Sequence, residues 1–98
     1  MAQLIWSARA LADLDTICEY IARDSDRYAR LFAERVVRLV ESVPYHPLLG
    51  AIVPEYQRED LRERLFQNYR IVYRVRRDVV EIVTIMHAAR LLPPPPAR

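Results

Sequence analysis

LRERLFQNYRIVYRVRRDVVEIVTIMH, residues 61–87, decides the fold. Apolar and polar side chains alternate in LRERLF (61–66), in YRIVYRVR (69–76) and in VVEIVTIMH (79–87), and QN (67–68) and RD (77–78) offer turns between them. A period of two is the pattern of a strand with one face buried, so the stretch predicts three consecutive antiparallel strands. If QN closes a two-residue hairpin, Leu65 falls opposite Arg70, Glu63 opposite Val72 and Leu61 opposite Arg74. One face of the central strand then carries Arg70, Val72, Arg74 and Arg76, and the other carries Tyr69, Ile71, Tyr73 and Val75.

Upstream, the period lengthens. Leu11, Leu14, Cys18 and Ile21 recur at spacings of three and four between Ala8 and about Arg23, and Phe32, Val36, Leu39, Val40 and Val43 do the same up to Pro44. These are two amphipathic helices, separated by the breaker Asp24, Ser25, Asp26 and read as an antiparallel hairpin. Ser7 is a good N-cap for the first helix, and the short apolar stretch Ala2 to Trp6 before it reads as a strand. PYHPLLGAIVPEYQRED, residues 44–60, holds three prolines and the chain's single glycine, and is expected to be an irregular connector over one edge of the core rather than helix or strand. LLPPPPAR at residues 91–98 has four consecutive prolines, which extend neither helix nor sheet, so residues 93–98 are expected to be an exposed polyproline-type tail on a single domain of residues 1–92. An inert tail is the simpler expectation; a ligand role for its prolines is the other. The order β-α-α-β-β-β gives an α+β fold: a helical hairpin packed on a mostly antiparallel four-stranded sheet.

Composition bounds the function. The 98 residues make one domain with a modest core. No apolar run approaches the roughly 20 residues needed to cross a bilayer. MAQLIWSARA lacks the charged-then-apolar order of a secretory signal, and a cytoplasmic location is expected. Net charge is +2 and every one of the fifteen basic residues is Arg. The basic excess lies in residues 50–98, which is compatible with contact to nucleic acid or to an acidic protein. The lone Cys18 reads as a packed thiol. There is no glycine-rich phosphate loop, no Cys/His metal spacing and no serine or cysteine nucleophile motif, so neither a metal nor a cofactor is expected. His46 reads as a loop-packing residue. His87 at the end of the last strand is either structural or a candidate acid–base group. The arginine face of the central strand has two readings: a solvated cross-strand ion-pair ladder, with Glu63 flanked by Arg70 and Arg74, or a surface that grips phosphates or acidic side chains.

Three segments together resemble the RelE/ParE superfamily of toxins from type II toxin–antitoxin systems, over about residues 3 to 92. WSARALADLDTICEYIARDS looks like that family's opening helix, HPLLG followed by VPE like its connector, and LRERLFQNYRIVYRVRRDVVEIVTIMHAAR like its terminal strands, with YRIVYRV the most specific piece. The resemblance implies a toxin neutralised by a cognate antitoxin from the same operon, in a hetero-oligomer. Its ribonuclease branch cuts messenger RNA on the ribosome and uses an arginine that Arg70 matches, which makes Arg70, Arg74 and His87 the candidate catalytic residues under that reading. That branch also uses lysines and a C-terminal tyrosine; this chain has no lysine and no tyrosine after Tyr73. The long hairpin and the ending HAAR are closer to the ParE branch, which inhibits DNA gyrase. The third reading is a binding module without toxicity. Candidates for target or antitoxin contact are Arg62, Arg64, Arg70, Arg74, Arg76, His87 and Arg90.

Overall fold

A computed structural model describes residues 2–98. The elements are β1 (Gln3–Trp6), α1 (Ala8–Ala22), α2 (Asp26–Ser42), β2 (Ala51–Ile52), β3 (Leu61–Phe66), β4 (Tyr69–Val75) and β5 (Val79–His87). The sheet order is β1-β5-β4-β3-β2, with β1 parallel to β5 and every other pair antiparallel. The two helices form a layer on one face of this sheet.

Both helix starts follow from their serine caps. Ser7 Oγ accepts from the Ala10 amide at 3.0 Å, and Ser25 Oγ accepts from the Tyr28 amide at 3.0 Å, each supplying a partner for a donor that has none inside the helix. Phe32 on α2 meets Phe66 and Tyr69 edge-to-face at centroid distances of 5.5 and 5.4 Å, so the helix-facing side of β3 and β4 is the aromatic and aliphatic one. Val36, Val40, Ile71, Tyr73, Val80, Ile82 and Ile85 complete this core. Leu11 is a correction: it is 49 % exposed, because the buried stripe of α1 runs through Ala10, Leu14, Ile17, Cys18 and Ile21 instead. Cys18 packs against that core, and burial, followed by the nearby Asp15, raises its thiol pKa.

The β3–β4 register is the one the two-residue turn requires: Leu61 opposite Arg74, Glu63 opposite Val72, Leu65 opposite Arg70. Gln67 takes the first turn position with φ 53°. Between β4 and β5 the register shifts by one, with Val72 opposite Thr84 and Tyr73 opposite Ile82, so Val83 is bulged. Ser7 and α1 hold that bulge. Ser7 Oγ donates to the Val83 carbonyl at 2.9 Å, and the Asp13 carboxylate accepts from the Thr84 hydroxyl and, at 3.0 Å, from the Ile85 amide.

Two expectations are corrected in the connector. Val43–Tyr45 forms a 3-10 turn, since Pro44 lies at its start, where a missing N–H costs nothing. Ala51 and Ile52 pair with Glu63 and Arg62, making five strands rather than four; two residues are too few to show a period. The connector is held by Tyr73, whose hydroxyl donates to the Pro47 carbonyl at 2.7 Å and accepts from the Gly50 amide at 3.1 Å. Val53, Leu61 and Val72 are fully buried outside the helix-side core. The sheet therefore has a second covered face, roofed by the chain's own loop.

Candidate functional site

Arg70, Arg74 and Glu63 lie on the sheet face away from the helices, where the alternation of β3 and β4 puts them. Arg70 is only 7 % exposed. Its Nη1 and Nη2 donate to the two carboxylate oxygens of Glu55 at 2.6 and 2.7 Å, and its Nε donates to Glu63 Oε1 at 2.7 Å. Glu55 comes from the connector and also accepts from the Leu92 amide at 3.2 Å. This is a clasp of one buried guanidinium by two carboxylates, Glu55 bidentate at the exposed rim and Glu63 largely covered, rather than a solvated ladder. Two negative charges against one positive leave the cluster with no cationic charge to offer a phosphate.

The clasp sets its own pH dependence. The Arg70 hydrogen bonds, aided by the Leu92 amide, hold the Glu55 carboxyl at about 2, down from an ordinary 4.5, and the same ion pairing raises Arg70. Asp60 is lowered in the same way, by the bidentate Arg58 at 2.7 and 3.0 Å. A carboxylate whose pKa is depressed by folding gives stability that is fully present above its unfolded pKa and is lost as pH falls toward the folded value. Urea midpoints are thus expected to fall between about pH 4.5 and pH 2, and Glu55→Gln to flatten that fall while lowering the midpoint at pH 7.

Arg74 is 9 % exposed and turns away from Glu63. Its Nη2 reaches Glu81 at 3.2 Å and its Nη1 donates to the Ala97 carbonyl at 2.6 Å, while Nε is buried without a hydrogen-bond partner. Both arginines flank Glu63 in the register, as expected, but only Arg70 pairs with it. Arg76 lies beyond β4, exposed in the turn, rather than on the strand. Arg62 and Arg64 sit opposite Tyr73 and Ile71, on the other face of the sheet from Arg70. Arg62 donates to the Leu48, Gly50 and Glu59 carbonyls at 3.0–3.2 Å and so ties the connector down. Arg64 is half-buried and joins none of the ion pairs among the described residues.

His87 does not converge with Arg70 or Arg74. It pairs across the sheet with Tyr69, whose ring it meets edge-to-face at 5.5 Å on the helix side, while Arg70 pairs with Met86. His87 Nδ1 accepts from the Ala89 amide at 3.1 Å, which leaves Nε2 as the outward nitrogen. It lines a groove between α1 and the end of β5, with Asp13, Ile17 and Tyr20 on one wall and Tyr69 and Arg90 on the other. Arg90 is exposed and borders both this groove and the Arg70 clasp. The three candidate catalytic residues thus occupy two faces of one sheet.

Comparison with known proteins agrees with this architecture. The family model described as ParE toxin of type II toxin–antitoxin system, parDE, matches residues 4–92. The chain belongs to the ParE toxin family. The protein named Toxin RelE2 of Caulobacter vibrioides is 38 % identical over 91 residues, covering 93 % of this chain and 100 % of that one. A structure titled as the chromosomal ParDE toxin–antitoxin system of P. aeruginosa superposes with a TM-score of 0.74 at 23 % identity, over 89 % of this chain and 96 % of the other. The YoeB dimer of Staphylococcus aureus shares the fold at a TM-score of 0.60 and 15 % identity, covering 88 % and 95 %.

A type II toxin has a cognate antitoxin as its partner. Among the described residues of this ParE-family toxin, no helix is long and apolar enough to cross a membrane, and no cluster of His, Cys, Asp or Glu is arranged to hold a metal. Sequence reasoning missed Glu55, Tyr56 and Arg58. They lie in a segment with no period, and only the VPE of the resemblance marked the neighbourhood. The tail is largely exposed, as expected, but residues 92–97 are also bound by Glu55, Tyr56, Arg58 and Arg74.

Proposed function

We propose that this toxin acts in the cytoplasm by binding a protein target, DNA gyrase, rather than by cutting RNA. The observation that carries the reading is the Arg70 clasp. An arginine that stabilises a scissile phosphate must present its charge and donors to it, whereas Nε, Nη1 and Nη2 of Arg70 each already donate to Glu55 or Glu63, whose two carboxylates offset its charge. His87, the one candidate general acid–base group near the end of β5, faces the opposite side of the sheet, too far round to share a substrate with Arg70. The family is that of ParE toxins while a relative is named RelE2, so the branch rests on this chemistry. Saturating purified toxin is expected to inhibit supercoiling of relaxed plasmid by gyrase, and its induction is expected to create no new 5′ ends on translated messages. Unchanged supercoiling, with growth arrest still seen on induction, overturns the proposal; new 5′ ends that vanish with Arg70→Ala transfer it to the ribonuclease reading. Unopposed expression without growth arrest returns the chain to a non-toxic binding module.

We infer that the antitoxin binds the groove between α1 and β5. Beyond Ile82, β5 has no strand neighbour on its β1 side, and the groove there combines apolar walls from Ile17 and Tyr20 with Arg9, His87 and Arg90 at its rim. That suits a folding segment which brings apolar anchors and acidic side chains.

A further inference from the structure

The C-terminal tail is bound by a regular set of donors. The Tyr56 hydroxyl donates to the Pro93 carbonyl, Arg58 Nη1 to the Pro96 carbonyl at 2.6 Å, and Arg74 Nη1 to the Ala97 carbonyl at 2.6 Å. The chain bends at Pro94, and the Pro93 and Pro96 carbonyls on either side of the bend meet Tyr56 and Arg58, which are two residues apart on the connector. The tail prolines have no N–H, so seating them on the sheet strands no backbone donor, and their fixed φ removes much of the entropy lost on binding. An aromatic hydroxyl and two guanidiniums reading only backbone carbonyls are the elements of a proline-rich peptide site.

The same site shows a mismatch. Arg74 Nε is buried without a partner, although Glu81 and the Ala97 carbonyl hold the other end of that guanidinium. The chain's own tail therefore leaves one Arg74 donor unread. Prolines 93, 94 and 96 also line an open groove with Arg74, Glu81 and Thr84 rather than filling it.

We propose that Tyr56, Arg58 and Arg74 form a binding groove for an extended proline-rich segment, held in cis by residues 93–97 and able to take a segment of the same chemistry in trans. A tethered tail competes at an effective concentration on the order of millimolar, so the groove is masked in the wild-type chain. The test uses the full-length chain carrying Pro93→Gly and Pro96→Gly, which loosens only the tail, and a fluorescein-labelled peptide LLPPPPAR read by anisotropy. The loosened chain is expected to bind the peptide saturably and at least tenfold more tightly than the wild-type chain, and not to bind LLGGGGAR. Arg58→Ala with Arg74→Ala in the loosened background is expected to cost a further tenfold or more. Tyr56→Phe, which removes a single hydroxyl and leaves the domain packed, is expected to weaken binding several-fold. No saturable binding by a loosened chain with wild-type circular dichroism overturns the proposal. So does equal binding by wild-type and loosened chains, or affinity indifferent to Tyr56→Phe.

Discussion

Arg70→Met is expected to destabilise the toxin by about 3 kcal/mol at pH 7, because removing one member of a buried ion cluster leaves the others desolvated and unpaired. Glu55 and Glu63 would then face one another across the space the guanidinium filled, with side chains only 23 % and 12 % exposed. Partial solvation of Glu55 and its bond from the Leu92 amide keep the loss from being larger. The sign with pH is the diagnostic. In the wild-type chain Glu55 stays ionised down to about 2, so the clasp contributes its full stability above about pH 4.5 and loses it below. Without Arg70 the Glu55 carboxyl loses the hydrogen bonds that hold it low, and its protonation relieves the repulsion between the two side chains. The gap between wild-type and Arg70→Met stability, measured by urea unfolding, should therefore narrow as pH falls from 7 toward 3. Adding Glu55→Gln to Arg70→Met should recover part of the loss at pH 7, since one of the two stranded charges is gone. A gap that stays constant with pH, or a double variant worse than the sum of the singles, means that Arg70 supports the fold by packing alone.

That clasp also marks where the sequence was legible and where it was not. The register of β3 on β4 could be counted because Gln67 and Asn68 make a two-residue turn, and in a hairpin the turn length sets every facing pair. Once the register is known, the face that holds Glu63, Arg70 and Arg74 follows from the period of two. The helix cap Ser7 was legible for a similar reason, as was the break at Asp24, Ser25 and Asp26, though the sequence did not single out Ser25 as the residue that caps: each is a local event decided within three residues. Burial of the arginine face was not legible, because its roof comes from residues with no period. Glu55 arrives from fifteen residues upstream in an irregular segment, and the covering tail from well beyond Arg74 in the chain. Polar alternation on a strand reads as a solvated face unless something is known to cover it. The tail misled in the opposite direction: consecutive prolines exclude helix and sheet, which is true of residues 93–96, yet exclusion from a ladder does not exclude docking through carbonyls.

Gly50→Ala is the second large effect, and it tests the connector that builds that roof. Gly50 has a negative φ, so no left-handed conformation demands glycine there. Space does. A Cβ at this position would lie 2.3 Å from the Tyr73 hydroxyl oxygen and 2.7 Å from the Glu63 carbonyl oxygen. The hydroxyl cannot swing aside without giving up its bonds to the Pro47 carbonyl and the Gly50 amide, and the Glu63 carbonyl belongs to β3 within the sheet. The connector must therefore lift off, which costs about 2–3 kcal/mol by overpacking and exposes the Val53, Leu61 and Val72 cluster to water. Since Glu55 follows Gly50 by five residues, lifting the connector also loosens the Arg70 clasp. Tyr73→Phe alone should cost about 1–2 kcal/mol, from one buried amide and one carbonyl left unpaired. The pair tells the two causes apart. In Gly50→Ala with Tyr73→Phe the 2.3 Å contact is relieved but the 2.7 Å backbone contact persists, so the double variant should be less destabilised than the sum of the singles and still well below wild type. Full additivity in thermal or urea unfolding would mean that the clash lies with β3 alone, and full rescue that the Tyr73 hydroxyl is the whole obstacle.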